Sequence, residues 1–151
     1  RNILGTNDVQ AWTGNTMIVA STCTFNWVAN AVPNYHSIPI QALTQPQGGI
    51  AASIASTTYV NAGPGMEFSK QLLQFSQNLG SNARWGDALM RAQQWAYQQS
   101  GGTDGNWYAD LSKTENILGD PAMPIMSKSP PAKAPGATTP SNSPPPAAGQ
   151  F

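Results

Sequence analysis

Residues 16–23, TMIVASTC, are the stretch on which the interpretation of the fold depends. The apolar run at its centre is rich in β-favouring residues and does not alternate cleanly with polar ones, a pattern typical of a strand buried on both faces of a parallel sheet. A second such run, residues 50–60 (IAASIASTTYV), is small and apolar at first and polar at its end. We therefore predict two adjacent parallel strands, at about residues 17–22 and 50–56, with Cys23 at their C-terminal edge.

Helical patterns separate and follow these strands. The predicted helices occupy about residues 37–45, 66–79 and 82–99. Ser37 is placed as the N-cap of the first helix and Pro39 in its first turn, where the N–H that proline lacks would be unpaired anyway. The second helix has apolar residues at helical spacing, and Gly80 is expected to end it.

The remaining segments indicate breaks and one last strand. Residues 61–65 (NAGPG) are predicted as a break and residues 100–110 as a loop, whereas residues 115–125 predict a short strand, a Gly-Asp-Pro turn and a second extended piece. Strands that alternate with helices indicate an α/β fold with a parallel or mostly parallel sheet covered on both faces. Three strands are few for such a sheet, so we expect an upstream segment or chain to complete it at the N-terminal side.

The composition changes abruptly after Met126. Residues 127–151 consist mainly of Pro, Ala, Ser, Thr and Gly and contain almost nothing that could pack in a core. Such a segment is typical of a semi-extended, polyproline-like linker. We therefore expect one domain over residues 1–126, followed by a linker or tail that is dispensable for folding.

Charge and cysteine content exclude several classes of protein. Only 9% of residues are charged and the net charge is zero, against roughly 25% charged residues in an average protein. Without a basic stripe we expect no nucleic-acid partner, and the apolar runs are too short for a membrane span. A single cysteine, Cys23, excludes an intrachain disulfide and a thiolate metal cluster, and no cofactor is expected. The thiol alone has two readings, a small buried apolar residue or a reactive group.

Four pieces of the sequence resemble, in the same order and spacing, the gingipain-type (C25-like) cysteine peptidases. They are residues 18–23 (IVASTC), 37–57 (SIPIQALTQPQGGIAASIAST), 79–97 (LGSNARWGDALMRAQQWAY) and 116–125 (NILGDPAMPI). The last piece is the most specific, being close to the Leu-Leu-Gly-Asp-Pro-Ala-hydrophobic signature that ends the family's catalytic domain. Within it we interpret Asp120 and Pro121 as structural, the first capping a turn that the second rigidifies. The resemblance covers roughly residues 12–126 and implies the C-terminal half of such a domain.

The resemblance implies a caspase-like three-layer α/β/α sandwich and a secreted or cell-surface enzyme of bacterial type that hydrolyses peptide bonds with a Cys–His dyad. Cys23 matches the nucleophile. The strand end that forms one wall of the family's primary specificity pocket is matched by Ser56, Thr57, Thr58 and Tyr59. In the family the dyad histidine follows a neighbouring strand that comes earlier in the sequence than the cysteine, so we expect it upstream of Arg1. The 151-residue chain alone is then expected to be inactive.

Two features depart from the family pattern, and two alternatives stay open. His36, the one histidine, follows Cys23 in a loop and is interpreted as an ordinary loop residue, and residues 24–27 (TFNW) lack the glycine that the family often has after its nucleophile. The first alternative is a non-catalytic caspase-like scaffold or binding domain. The second is a carbohydrate-binding or adhesive module, suggested by the polar composition and the five tryptophans.

Overall fold

The computed structural model of the chain describes Val9, Trp12 and residues 15–27, 37–46, 49–80 and 82–125. Within these ranges three strands and four helices follow one another. They are β1 (Asn15–Ala20), α1 (Ile38–Leu43), β2 (Gly49–Ser56), α2 (Ala62–Asn78), α3 (Trp85–Gln99), α4 (Trp107–Thr114) and β3 (Glu115–Gly119). The strands form one sheet in the order β1-β2-β3, so β2 is its centre.

The predicted pairing of the first two strands is confirmed. β1 and β2 are adjacent and parallel, with Val19 opposite Ile54 and Ala20 opposite Ala55. The register shifts near the start of the pair, where Thr16 lies opposite Ile50 but Met17 lies opposite Ala52. Such a bulge bends the strand locally. Beyond the bulge, both strands run to the same edge of the sheet. β1 ends there at Ala20, three residues before Cys23.

The expectation of a mostly parallel sheet is wrong, because β3 pairs with β2 in the antiparallel direction, Ser56 opposite Glu115. The reason lies in how the chain re-enters the sheet. β3 follows α4 directly, and the Thr57 N–H donates to Thr114 O at 3.1 Å. The chain therefore enters at the edge at which β2 leaves, and from there it can only run back along β2. The caspase-like three-layer arrangement stays a prediction.

The predicted break at residues 61–65 is also wrong, because α2 begins at Ala62. Asn61 is its N-cap and its side-chain oxygen accepts a hydrogen bond from the Gly63 N–H at 3.1 Å. Pro64 lies in the first turn, where a helix has no intrahelical partner for its N–H groups and proline is tolerated. The predicted end is confirmed, since Gly80 follows the helix with a φ of +86°.

α4 lies partly in a segment predicted as a loop. Asn106 is the N-cap of this helix, and its Oδ1 accepts from the Ala109 N–H at 3.0 Å. The loop before it contains three glycines with positive φ, Gly101, Gly102 and Gly105. The prediction of a loop is therefore confirmed for residues 100–106. It is wrong for residues 107–110, which form the start of α4.

The Gly-Asp-Pro turn has the predicted structural role. The Asp120 carboxylate accepts a hydrogen bond from the Ala122 N–H at 2.8 Å, which closes the turn that contains Pro121. The extended piece behind it forms an isolated antiparallel bridge between Pro124 and Arg84. This bridge ties the end of the described chain to the start of α3.

Apolar residues cover both faces of the sheet. On one face Ile54 packs with residues of α2, α3 and α4, among them Phe68, Leu72, Leu89 and Leu111. On the other face a smaller cluster joins Ile50 and Ala42 of α1, with Ile18 against it. Burial on both sides explains why the two parallel strands show continuous apolar runs rather than alternation.

Two sequence expectations fall outside the described residues, namely the linker over residues 127–151 and the loop position of His36. Within the described ranges, every helix is too short or too polar to cross a membrane.

Candidate active site

The turn that follows β1 carries the predicted nucleophile. Cys23 lies three residues beyond Ala20 at the edge where the parallel strands end and β3 begins. Carboxyl ends of parallel strands are where open α/β sheets bind ligands. The Cys23 thiol therefore lies at the edge of the sheet that the sequence predicted for it.

The turn is held against the end of β2 by backbone hydrogen bonds. The Thr24 N–H donates to Thr58 O at 2.9 Å and the Asn26 N–H donates to Ser56 O at 3.1 Å. In both bonds an N–H of the turn donates to a carbonyl at or just beyond the end of β2. The turn that follows Cys23 is thus tied to the end of β2 and the residues after it.

The thiol of Cys23 contacts the backbone of Val60 twice. Its Sγ accepts a hydrogen bond from the Val60 N–H and donates one to Val60 O, each at 3.3 Å. The cysteine is half-buried, and Val60 stands directly before Asn61, the N-cap of α2. These two contacts hold the Cys23 thiol at the segment that leads into α2.

Thr24, the residue after the nucleophile, has a strained backbone. Its φ is +54°, in the left-handed region that β-branched residues rarely adopt. The strain, about 1–3 kcal/mol, persists only where surrounding bonds impose it. Here the Thr24 N–H binds Thr58 O, and Thr24 O accepts from the Trp27 N–H at 3.1 Å. The Thr24 N–H is therefore already engaged within the protein.

Asn26 is the functional candidate that the sequence did not reveal. Its side chain is fully buried, and its Nδ2 donates to Ser53 O at 3.2 Å and to Asn116 O at 2.8 Å. Its Oδ1 accepts from the Ser53 hydroxyl at 2.6 Å. The sequence contains one indirect sign of this contact. Ser53 is a polar residue inside the apolar run 50–55, and a buried hydroxyl group needs a hydrogen-bond partner.

The four residues predicted to form the pocket wall lie at the same edge as Cys23, but they differ in exposure. Ser56 is fully buried, and its hydroxyl donates to Thr114 Oγ1 at 3.3 Å and accepts from the Thr58 N–H at 3.1 Å. Thr57 is half-buried and donates from Oγ1 to Thr114 O at 3.2 Å. Thr58 is exposed, as is Tyr59 with 78% of its surface accessible. Of the four, only Thr58 and Tyr59 have exposed side chains.

A buried carboxyl group lies beside this wall. Glu115 is only 4% exposed and stands opposite Ser56 in the sheet. Burial raises the pKa of its side chain from 4.5 to about 8. The charged form is disfavoured because a buried carboxylate loses its hydration.

We expect the Glu115→Gln substitution to remove a pH dependence of stability. In the unfolded chain Glu115 releases its proton near pH 4.5, whereas in the folded protein it does so near pH 8. The wild-type free energy of unfolding should therefore fall between these values, by on the order of a few kcal/mol, because the folded state binds more protons there. Melting temperatures at pH 5 and pH 8 measure the slope, which should be absent from the variant.

The matched control is Glu67→Gln, which changes an exposed glutamate on α2 that accepts a hydrogen bond from the Tyr108 hydroxyl. This control should keep the wild-type slope between pH 5 and pH 8. An unchanged slope in Glu115→Gln would contradict the assignment of that slope to the buried carboxyl group.

Comparison with known proteins identifies a family that the chain resembles. The sequence profile described as peptidase family C25 matches residues 1–126. No curated protein and no solved structure matches the chain.

Proposed function

The chain belongs to peptidase family C25, as its likeness to gingipain-type peptidases indicates, and we propose that Cys23 is its nucleophile in the hydrolysis of peptide bonds. The family match supports a cysteine peptidase in general. The observation that carries the assignment to this residue is the position of the thiol at the carboxyl edge of the parallel strands, in contact with the Val60 N–H.

The proposed reaction uses a Cys–His dyad whose histidine precedes Arg1. The imidazole takes the thiol proton, and the thiolate attacks the carbonyl carbon of the scissile bond. The imidazolium then returns the proton to the leaving amine, and a thioester forms between Cys23 and the acyl part of the substrate. Water activated by the same imidazole hydrolyses this thioester. Backbone N–H groups other than that of Thr24 stabilise the oxyanion, since the Thr24 N–H binds Thr58 O.

The exposed end of the pocket wall is proposed to contact the substrate. Thr58 and Tyr59 precede Val60, so they lie beside the thiol, and both are exposed. Ser56 and Thr57 are assigned a supporting role in the same wall, because their hydroxyl groups bind within the protein. The substrate is a protein or peptide in this proposal.

A further part of the proposal concerns the edge of the sheet. Among the described residues β1 is an edge strand, and its residues Met17, Ile18 and Val19 are only half-buried. An open edge presents backbone N–H and C=O groups that need partners. We assign this edge to the upstream segment or chain that carries the dyad histidine, in a protein that is secreted or displayed at the cell surface.

Alkylation tests the proposed function directly. We call the chain together with its proposed upstream segment the intact protein. Iodoacetamide is expected to modify Cys23, the only cysteine of this chain. The rate of peptide hydrolysis by the intact protein should fall in proportion to the modified fraction. A peptide substrate should slow both processes. The 151-residue chain alone should hydrolyse peptides negligibly. If Cys23 proves inert to iodoacetamide in the intact protein, the non-catalytic scaffold takes the place of the peptidase.

A further inference from the structure

The amide of Asn26 links the turn of the nucleophile to two strands at once. Its three side-chain hydrogen bonds reach Ser53 in β2 and Asn116 in β3, residues that lie 27 and 90 positions away in the sequence. Both amide hydrogens are therefore used, and the oxygen is engaged as well. Such a fully satisfied buried amide has one low-energy orientation.

The turn before it needs such an anchor. Thr24 is held at a φ of +54°, a conformation that relaxes unless its surroundings impose it. Asn26 lies two residues further on, and its own N–H binds Ser56 O. If the side chain of Asn26 lost its partners, this end of the turn would be fixed by backbone bonds alone.

We propose that Asn26 is a positioning residue, whose amide fixes the turn on β2 and β3 so that the Cys23 thiol stays at Val60. The inference rests on the proposed function for its catalytic consequence. The structural part of the inference is that Asn26 maintains the contact of Cys23 with Val60. This part does not depend on the proposed function and is measured separately.

The first test is the Asn26→Ala variant of the intact protein, at a temperature where it is fully folded. We expect kcat for peptide hydrolysis to fall about 10- to 100-fold, because a small displacement of a nucleophile has effects of this size. KM should change by less than about threefold, since Thr58 and Tyr59 are untouched. The control is Leu89→Val, a substitution in the core of α3, which lowers the melting temperature but should leave kcat unchanged.

The second readout does not depend on activity. Because the Val60 N–H donates to Cys23 Sγ, its hydrogen-exchange protection reports the position of the thiol. Asn26→Ala should reduce that protection about tenfold or more beyond any change in global stability, whereas Leu89→Val should reduce it only as far as global stability falls.

Ser53→Ala completes a double-mutant cycle. Alone it should lower kcat less than Asn26→Ala, since both Nδ2 bonds remain, and it should have no further effect when Asn26 is already alanine. A folded Asn26→Ala protein with wild-type kcat and wild-type Val60 protection would overturn the inference. A wild-type protein without peptidase activity would overturn the proposed function instead, and Val60 exchange would still decide the role of Asn26.

Discussion

Replacement of Cys23 by alanine in the intact protein is expected to reduce kcat for peptide hydrolysis to the background rate, a loss of about a thousandfold or more. The reason is chemical, because alanine offers no atom that can form the acyl intermediate. Initial rates with a peptide substrate measure the loss. Circular dichroism should show an unchanged fold, since the half-buried side chain forms bonds only to the Val60 backbone among the described residues.

Cys23→Ser and His36→Ala are the informative companions of this variant. A serine hydroxyl can still donate to Val60 O and accept from the Val60 N–H, so Cys23→Ser preserves the local contact while replacing the thiol with a poorer nucleophile. It should be nearly as inactive as the alanine variant. His36→Ala should keep wild-type activity, because the proposed base precedes Arg1. Activity that survives Cys23→Ala, or that disappears with His36→Ala, would refute the proposed dyad.

Gly119→Ala is expected to lower the free energy of unfolding by about 3 kcal/mol, through backbone strain and steric overlap together. Gly119 has a φ of +122°. A Cβ atom added there would lie 2.6 Å from Ala52 Cβ and 2.7 Å from Ala51 O. For a domain of this size the melting temperature should fall by roughly 10 °C, which differential scanning calorimetry measures.

Gly80→Ala separates the two causes. Gly80 also has a positive φ, +86°, but nothing lies within 4 Å of the added Cβ atom. Only the backbone strain remains, so the free energy of unfolding should fall by about 1 kcal/mol. Equal losses in the two variants would show that the close approach of β3 to Ala51 and Ala52 contributes nothing. A larger loss for Gly119→Ala would explain physically why a glycine precedes the Asp-Pro turn.

The parallel strands could be predicted because their signal is local. Continuous apolar runs such as residues 50–55 are required when both faces of a strand are covered, and the sequence shows them directly. The direction of β3 could not be predicted in this way. Its five residues, Glu115–Gly119, have the same pattern in either direction, and the direction follows from α4, a short helix that begins directly after a glycine-rich loop.

The same distinction between local and long-range features applies to the candidate site. Cys23 could be located from the strand before it, since its place depends on where that strand ends. Asn26 could not, because its partners Ser53 and Asn116 are distant in sequence and adjacent only after folding. The pKa of Glu115 depends equally on residues that surround it in space, so the glutamate looks ordinary in the sequence.

The contact between Asn26 and Asn116 also sets an order of events during folding. The helices α2, α3 and α4 can form from neighbouring residues, whereas the turn at Cys23 acquires its last bond only when β3, 90 positions later, has docked on β2. Contacts of such long sequence separation form late, because they close the largest loops. We therefore expect a newly synthesised chain to order the turn at Cys23 only after β3 has been made and has docked on β2.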